Sequence, residues 1–574
     1  MNFDTPFLTE QIIAYIGNKR RLLPLIFNAI ESTGLELVPG LKFLDVFSGS
    51  GVVSRLAKSL GFELFSNDWE FYANIISQGY LAVDENDIAD IFGSQEEFSS
   101  LIEKINALPP PSEENQYIAK YYAPREDDEN KANWNTERLF YTRKNALAID
   151  KIRNFIEENF SESTKAKNLL LANLVYESST HTNTSGVFKA FHKGFGGHGK
   201  DALGRILAEI RLHKPVLINA RSKVHIFQEN ANELVRKLRG LDIAYLDPPY
   251  NQHQYGSNYH LLNTIAKWDH IPAPLELNAK GVLKEKAAIR HDWVNTRSNY
   301  CYRDLAEATF ADLIEHTDAK HILVSYSTDG IIPFDAMREI CMKKGRLSIV
   351  TNGYTTYRGG KKSNSRKNAN IEFILCIDTR AENDFHSLGK IDSVLVKKRL
   401  LLLLKQKFSE EKIINAVNHF SILESSPILS VKIGEPKKKR KKGGKSIFFQ
   451  IEGNGEIEIE TLELFELLPP DDLSTLSTLA LAEMHALLSP CVCCTKEDEL
   501  DELLKKIKKG NAPLSLARKI PSTLKNLAHK KNRAVFQKWL KKTEDLEKSA
   551  PETFKKIKEQ IENIKNLAHL RFTN

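Results

Sequence analysis

The sequence predicts an α/β protein with an open, mostly parallel sheet, a helical insertion and a basic C-terminal α+β domain. Short apolar segments typical of buried strands, among them 224–227, 321–325 and 371–377, alternate with segments of helical period in residues 1–74 and 216–384. Such alternation is the pattern of parallel strands joined by crossover helices. Helices and polar loops fill residues 75–215, and residues 385–574 follow a different, lysine-rich pattern. We therefore expect one interrupted core, an insertion and a separate C-terminal domain.

The core begins with a strand, a loop, a helix and a second strand. The apolar strand 41–46 precedes a loop of sequence FSGSG at 47–51, and the second strand ends at Asp68. Glycines let a backbone approach a ligand closely, the start of a helix offers free N–H groups, and an acid here can bind ribose hydroxyls. Ser54 breaks the dinucleotide pattern G-x-G-x-x-G, and the loop lacks the lysine of a P-loop. The unit indicates an adenosine-containing ligand without identifying it.

A second chemical signal is the tetrapeptide DPPY at 247–250, which follows the apolar strand 241–246. Prolines cannot donate to a sheet ladder, so the strand ends there in a rigid, extended bend. The Asp247 carboxylate and the Pro248 carbonyl can then accept both N–H bonds of an aryl amine and favour its nucleophilic form. Tyr250 offers a flat face for a base that has left its stack. The alternative is a structural turn with a buried tyrosine, and the upstream glycine loop and acid weigh against it.

Charge and composition limit the classes of protein to which this chain can belong. The net charge is +7, and residues 381–574 contain 35 Lys and Arg against 27 Asp and Glu. A basic C-terminal part favours a polyanionic partner such as nucleic acid, with a lysine-rich solvated surface as the alternative. No run of about 18 apolar residues is present to cross a membrane, and the N-terminus does not resemble a secretion signal. We therefore expect a cytoplasmic protein.

The six cysteines do not suggest a disulfide framework. Cys301, Cys341 and Cys376 are isolated in the sequence, which favours buried thiols. The C-x-C-C group at 491–494 has His485 nearby, but its spacing is not that of a standard zinc site. We interpret these residues as thiols without a metal.

Six segments in this order resemble the D12 class of N6-adenine-specific DNA methyltransferases. The matching segments are YIGNKRRLL at 15–23, FLDVFSGSG at 43–51, SNDWE at 66–70, FQENANEL at 227–234, LDPPYNQHQYGSNYHLL at 246–262 and HILVSYSTDGII at 321–332. The longer DPPY segment is similar to methyltransferases related to the modification domains of the FokI type. The resemblance covers residues 8–380 and implies a Rossmann-like core that uses S-adenosylmethionine.

The resemblance also implies roles for individual residues. The cofactor-binding residues would be Tyr15, Lys19, Asp45, Phe47, Ser48, Gly49, Gly51, Asp68, Asn230 and Asp247. In that assignment Lys19 pairs with the cofactor's carboxylate, Asp68 holds its ribose and Asn230 meets its adenine ring. The catalytic residues that bind the target adenine would be Asp247, Pro248, Pro249 and Tyr250. The family requires no metal and no covalent enzyme intermediate.

The expected function is methylation of adenine N6 in double-stranded DNA at a short specific site, within a restriction-modification system. A cognate restriction endonuclease is then a possible partner. The insertion at 75–215 is the first candidate for target recognition, and its segment 183–203 is rich in glycine, aromatic and basic residues. The domain at 385–574, with the basic turn at 437–442 between two expected strands, is the second candidate for DNA contact.

Other interpretations stay open from the sequence alone. Methylation of RNA, or of cytosine N4, would use nearly the same loop, and a non-catalytic DNA-binding protein could retain the fold. A nuclease in the C-terminal part is disfavoured because it has no convincing P-D…E-x-K pattern. His253 and His260 flank the site, and we expect them to position other groups rather than to act as bases. Three arginines would bind either DNA phosphates or surface acids: Arg290, Arg297 and Arg358.

Overall fold

The computed structural model describes residues 1–160, 164–197, 201–351, 372–384 and 391, three strands between 429 and 458, and helical residues between 504 and 573. The chain divides into two compact units, Met1–Thr355 with Asn370–Ile391, and Thr356–Ala369 with Asp392–Asn574. No helix among the described residues is both long and apolar enough to cross a bilayer. The domain bounds that we derived from the sequence remain predictions.

A seven-stranded mixed sheet forms the centre of the first unit. Its strands are β1 (Lys42–Asp45), β2 (Glu63–Asn67), β3 (Val224–Phe227), β4 (Leu241–Leu246), β5 (Ala319–Ser327), β6 (Arg346–Thr351) and β7 (Glu372–Asp378). The order across the sheet is β3-β2-β1-β4-β5-β7-β6. The first five of these are parallel, and β7 is antiparallel to both of its neighbours. This arrangement confirms the expected Rossmann-like α/β fold, although β6 was not predicted from the sequence.

Fifteen helices accompany the sheet in the described residues of this unit. They are α1 (Pro6–Thr9), α2 (Leu23–Glu31), α3 (Val52–Ser59), α4 (Phe71–Tyr80), α5 (Asp87–Phe92), α6 (Gln95–Asn106), α7 (Ile118–Tyr121), α8 (Arg143–Asn159), α9 (Lys165–Thr180), α10 (Leu203–Leu207), α11 (Ala231–Val235), α12 (Tyr255–Asn258), α13 (His260–Lys267), α14 (Ala306–His316) and α15 (Phe334–Met342). Four short 3-10 helices cover Arg20–Leu22, Glu113–Asn115, His291–Thr296 and Asn299–Cys301.

The N-terminal segment and α1 to α3 cover one face of the sheet. Apolar residues of these helices share one hydrophobic core with inward-facing residues of β1, β4, β5 and β7. Arg55 on α3 is fully buried and donates hydrogen bonds to the carbonyls of Phe7, Glu10 and Gln11. A buried guanidinium needs such partners, so these bonds tie the N-terminal segment to α3. The segment that follows then reaches the ends of the strands.

Seven of the helices, α4 to α10, lie between β2 and β3 in the sequence. The first six, α4 to α9, pack around a second core, whereas Ile206 of α10 packs with Leu139 and Phe195. The second core also contains Tyr259, Leu261, Leu262 and Ile265 of the segment after β4. Asp150 on α8 accepts hydrogen bonds from the backbone N–H groups of two residues at the start of α7. The inserted helices are thus packed directly against the segment that follows DPPY, which links them to the site described below.

The second unit contains a three-stranded antiparallel sheet and C-terminal helices. The strands β8 (Leu429–Gly434), β9 (Ser446–Ile451) and β10 (Gly455–Glu458) confirm the strands expected in this region. The helices α16 (Arg533–Ser549), α17 (Pro551–Phe554) and α18 (Lys558–Thr573) pack through Phe536, Trp539 and Ile561. The basic turn at 437–442 and the cysteines at 491–494 lie outside the described residues. Three free cysteines are buried, as expected: Cys301, Cys341 and Cys376.

Candidate active site

The carboxyl ends of β1, β2, β3 and β4 meet at one cavity of about 570 Å³. Parallel strands of an open sheet bring the residues that follow them to the same edge, where ligands bind in this architecture. Phe47 follows β1, Asp68 follows β2, and Asn230 lies three residues beyond β3. Residues 247–250 follow β4 and line the same cavity. The glycine loop and DPPY, which are far apart in the sequence, therefore share one site.

The glycine loop is held in place by Asp68. The N–H of Gly49 donates to Asp68 Oδ2 at 2.8 Å, and the N–H of Glu70 donates to Asp68 Oδ1 at 2.8 Å. Burial raises the pKa of Asp68 to about 6. Gly49 has a φ of +51°, and a Cβ there would lie 2.7 Å from Tyr15 Cε1. Only glycine fits this close approach without strain.

Asp45 precedes this loop and Gly51 is its last residue. Neither lines the large cavity or a second, smaller cavity that is lined by Lys19, Ser48 and Gly49, among others. Asp45 is buried, and its Oδ2 accepts a hydrogen bond of 2.7 Å from the Ser54 hydroxyl on α3. Burial raises the pKa of Asp45 to about 7. Gly51 takes a left-handed conformation as the N-terminal cap of α3. Both residues therefore support the conformation of the loop without lining either cavity.

Three stacked tyrosines attach the N-terminal segment to the chain that follows DPPY. The Tyr15 ring stacks on the rings of Tyr255 and Tyr259, with centroid distances of 5.2 and 4.9 Å. The Tyr259 hydroxyl also accepts a hydrogen bond of 2.7 Å from the N–H of Ile16. Tyr15 lines both the large cavity and the smaller one. Lys19 and Ser48 are among the other residues that line the smaller cavity.

The principal charge pair of the site joins Lys19 to Asp247. Lys19 Nζ lies 2.9 Å from Asp247 Oδ1, and both side chains are largely buried. This oxygen has no partner with hydrogen-bond geometry, so the contact is an ion pair rather than an aligned hydrogen bond. Burial raises the pKa of Asp247 and Lys19 lowers it, with burial the larger effect. Lys19, which was expected to meet the cofactor's carboxylate, thus contacts the acid of DPPY.

Tyr250 is held between three groups at the end of DPPY. Lys19 Nζ lies 5.1 Å from the centre of its ring, and the Tyr326 ring packs edge-on at 5.8 Å. The Tyr250 carbonyl accepts a hydrogen bond of 3.1 Å from the N–H of Ile331. These contacts fix one ring face and the backbone bend together, as pre-organisation of a binding platform requires.

A segment around residues 296–300 covers the other side of the large cavity. The Gln254 side chain fixes it, because its amide donates to the Ser298 carbonyl at 3.0 Å and accepts from the Ser298 N–H at 2.8 Å. Asn230 Oδ1 accepts from the Asn232 N–H at 2.9 Å, so Asn230 caps α11 while lining the cavity. Sequence reasoning missed Gln254, Asn232 and this segment, since polar loop residues carry no periodic signal.

The flanking basic residues have mainly structural partners. His260 is buried, its Nε2 lies 2.9 Å from the Phe188 carbonyl, and burial lowers its pKa to about 4. Arg290 is buried and makes paired hydrogen bonds to Asp269 and Asp292. Arg297 lines the large cavity, whereas Arg358 lies outside the described residues.

Comparison with known proteins agrees with this geometry. A family model described as D12 class N6 adenine-specific DNA methyltransferase matches residues 15–340. The type II methyltransferase M.NlaIII of Neisseria lactamica is 30% identical over 365 residues, covering 62% of this chain and 96% of the relative. The modification methylase StsI of Streptococcus sanguinis is 31% identical over 373 residues, covering 63% of this chain and 51% of the relative. The type II methyltransferase M.FokI of Planomicrobium okeanokoites is 29% identical over 393 residues, covering 66% and 55%.

The chain thus spans nearly all of M.NlaIII and about half the length of the other two relatives. The matched residues include the glycine loop, the DPPY bend and most of the sheet described above. The chain belongs to the D12 class N6 adenine-specific DNA methyltransferase family.

Proposed function

We propose that this chain transfers a methyl group from S-adenosylmethionine to adenine N6 in double-stranded DNA, at a short specific site. Its family membership and the names of its relatives, which are type II methyltransferases and modification methylases, support that activity. The single structural observation behind it is that Phe47 of the glycine loop and residues 247–250 line the same cavity. The corresponding biological role is the modification component of a restriction-modification system.

The residues of the large cavity fit a cationic, adenosine-containing cofactor. Several carboxylates line it, among them Asp68, Glu70 and Asp247, and they would favour a positively charged ligand. Asp68 and Asn230 both line this cavity, and in this proposal they would hold the ribose and the adenine ring. Bound there, S-adenosylmethionine would supply an electrophilic methyl group on a sulfonium sulfur.

DPPY would act on the target amine. An amine on an aromatic ring is a weak nucleophile because its lone pair is delocalised, and two acceptors can localise that pair. The Asp247 carboxylate and the Pro248 carbonyl would accept its two N–H bonds, while Pro248 and Pro249 keep the bend rigid. The base would leave the DNA stack and lie against Tyr250.

The transfer balances without a metal or a covalent enzyme intermediate. The amine lone pair forms the N–C bond, the C–S bond electrons return to sulfur, and the methylated nitrogen then loses one proton to solvent. No histidine base is needed for that proton. The low pKa of His260 keeps it neutral, and it does not line the large cavity.

The proposed partners follow from this activity. Duplex DNA is the substrate, the inserted helices at 75–215 are the first candidate for reading the target sequence, and the basic residues of 385–574 would add phosphate contacts. A cognate restriction endonuclease would cleave the same site when it is unmodified. A cytoplasmic location is consistent with such a role.

The test is transfer of tritiated methyl groups from S-adenosylmethionine to duplex DNA, to single-stranded DNA and to RNA, followed by nucleoside analysis. We expect label in duplex DNA as N6-methyladenine. Label in RNA, or as N4-methylcytosine, would replace the proposed substrate with another exocyclic amine. Absence of both transfer and cofactor binding would indicate a DNA-binding protein without catalysis.

A further inference from the structure

Glu372 on β7, a partly buried residue with one fully buried carboxylate oxygen, has no role in the reaction described above. Ser327 on β5 pairs with Glu372, and Leu246 at the end of β4 pairs with Val324. Side chains alternate along strands, so Asp247 continues the face that carries Ser327 and Glu372. The same face carries Ile374 and Cys376, which pack in the core below the N-terminal segment. The acid of DPPY and Glu372 therefore lie on the same face of the sheet, at the same edge.

Lys19 enters that face from the N-terminal segment and is influenced by both acids. Burial lowers the pKa of Lys19, but nearby groups raise it well above its usual value. Asp247 has the largest of these effects, followed by Tyr250, Tyr245 and Glu372. In turn, burial raises the pKa of Glu372 and the Lys19 charge lowers it. Lys19 makes its ion pair with Asp247, while Glu372 makes none with any described residue.

Glu372 Oε2 is buried and has no hydrogen-bond partner among the described residues. An unpaired, buried carboxylate oxygen is costly and is retained in folded proteins mainly where a function requires it. Among the described residues, Lys19, on a flexible four-carbon stem, is the cation whose charge lowers the pKa of Glu372. A second position for the Lys19 ammonium, towards Glu372, would satisfy that oxygen.

We propose that Glu372 is a positioning residue for methyl transfer, which draws the Lys19 ammonium towards itself when the target amine binds Asp247. This inference rests on the proposed function. Lys19 is ion-paired with the Asp247 carboxylate to which the amine would donate, so the two compete for it. Positive charge also develops on the amine nitrogen as the N–C bond forms, and an uncompensated ammonium nearby would oppose that charge. With the Lys19 ammonium held by an ionised Glu372, the Asp247 carboxylate is left to stabilise the charge on the amine.

The test is single-turnover methyl transfer to duplex DNA by Glu372→Gln, with full-length protein and saturating S-adenosylmethionine. We expect the rate to fall roughly tenfold or more, because without Glu372 the Lys19 ammonium would stay at Asp247, where it competes with the amine and opposes the developing positive charge. Cofactor affinity, measured by calorimetry, should change less than about threefold, since the position of Lys19 matters mainly once the amine is bound. Glu372→Asp, which keeps the charge, should restore most of the rate. Asp378→Asn is the control, because Asp378 lies at the other end of β7 in ion pairs with Arg346 and Arg380.

A double-mutant cycle separates this role from a structural one. In a Lys19→Met background the Glu372→Gln substitution should have almost no further effect, because Glu372 acts through Lys19. Glu372→Met, of similar volume, replaces the Gln variant if the latter does not fold. An unchanged rate in Glu372→Gln would overturn the inference, and so would an equal loss of rate with and without Lys19. Methyl transfer by the wild type in the same experiment would still support the proposed function. A wild-type protein that transfers no methyl group would instead overturn the proposed function, and this inference with it.

Discussion

Lys19 and Asp247 connect the N-terminal segment to the end of β4 through a buried contact of 2.9 Å between Nζ and Oδ1. The two residues belong to the two chemical halves of the proposed site, one near the glycine loop and one in DPPY. Lys19 also lies over the Tyr250 ring, so a single cation contacts both the acid and the aromatic group that would bind the target base. The proposed cofactor and target sites would therefore be electrostatically coupled.

Loss of Lys19 should shift the acid limb of the pH profile. Lys19 lowers the pKa of Asp247, against the larger, opposite effect of burial. In Lys19→Met that pKa rises further, so the ionised Asp247 forms only at higher pH. We expect the acid limb of kcat/KM, which reports the free enzyme, to move to higher pH.

The matched control for Lys19→Met is Lys320→Met. Lys320 pairs with Asp242 at the start of β4, with Nζ 2.7 Å from Oδ1, and half of its side chain is exposed. Its loss should leave the pH profile unchanged. An acid limb that stays in place in Lys19→Met would mean that Asp247 ionisation does not control the reaction.

Gly49 should be sensitive to even one added methyl group. Gly49→Ala places a Cβ 2.7 Å from Tyr15 Cε1 at a φ of +51°, so the loop or the stacked ring must move. We expect the KM for S-adenosylmethionine to rise about tenfold or more, given a strain of about 1–2 kcal/mol at such a backbone position. Gly34→Ala is the control, since Gly34 has a φ of +70° and nothing within 4 Å of the new Cβ. Equal effects of the two substitutions on KM would argue against a cofactor role for the loop.

The Tyr259 hydroxyl should matter for the position of the N-terminal segment. Tyr259→Phe removes the acceptor of the Ile16 N–H and leaves the stacking with Tyr15. Loss of such a hydrogen bond costs about 1 kcal/mol, so we expect cofactor affinity to fall about fivefold. Tyr141→Phe removes another buried hydroxyl, bonded to the Ser178 carbonyl, and should lower stability without changing affinity. Calorimetry on the two variants distinguishes these outcomes, and equal affinities would contradict the assigned role.

Stability of the inserted helices should depend on the ionisation of Asp150. Burial raises its pKa to about 7, above the value of about 3.9 for an unfolded aspartate. Between about pH 4 and 7 the folded state holds more protons than the unfolded state, so raising the pH lowers the unfolding free energy. Relative to Asp150→Asn, the wild type should lose up to about 1.4 kcal/mol per pH unit in this range. Urea denaturation at several pH values measures this difference, and a constant difference would contradict the assignment.

Local sequence patterns were enough to predict most strands of the sheet. Apolar runs predicted β1 to β5 and β7, and all of these strands except β3 are mainly buried. β6 was missed, since polar residues interrupt its short apolar run and only one of its six residues is buried. The direction of β7 could not be predicted, because strand direction depends on how the chain crosses the sheet and not on the composition of the strand.

The site was predictable where one short motif carries the chemistry. The FSGSG loop, Asp68 and DPPY were recognised from the local sequence. Phe47, Asp68 and residues 247–250 line the large cavity, and residues 48–50 line the smaller one together with Asp247. The contact of Lys19 with Asp247 and the place of Glu372 on the same face depend on strand register and burial, which the sequence does not display. Asp45 was expected to be a ligand contact, yet the alternation of side chains along β1 points it into the core beneath α3.

The most direct test of the central claim compares Asp247→Ala with the wild type in methyl transfer to duplex DNA, with nucleoside analysis of the product. We expect the wild type to form N6-methyladenine, and Asp247→Ala to form none while it keeps its fold and much of its cofactor affinity. Methylation by Asp247→Ala at the wild-type rate would contradict the assignment of Asp247 as the acceptor for the target amine.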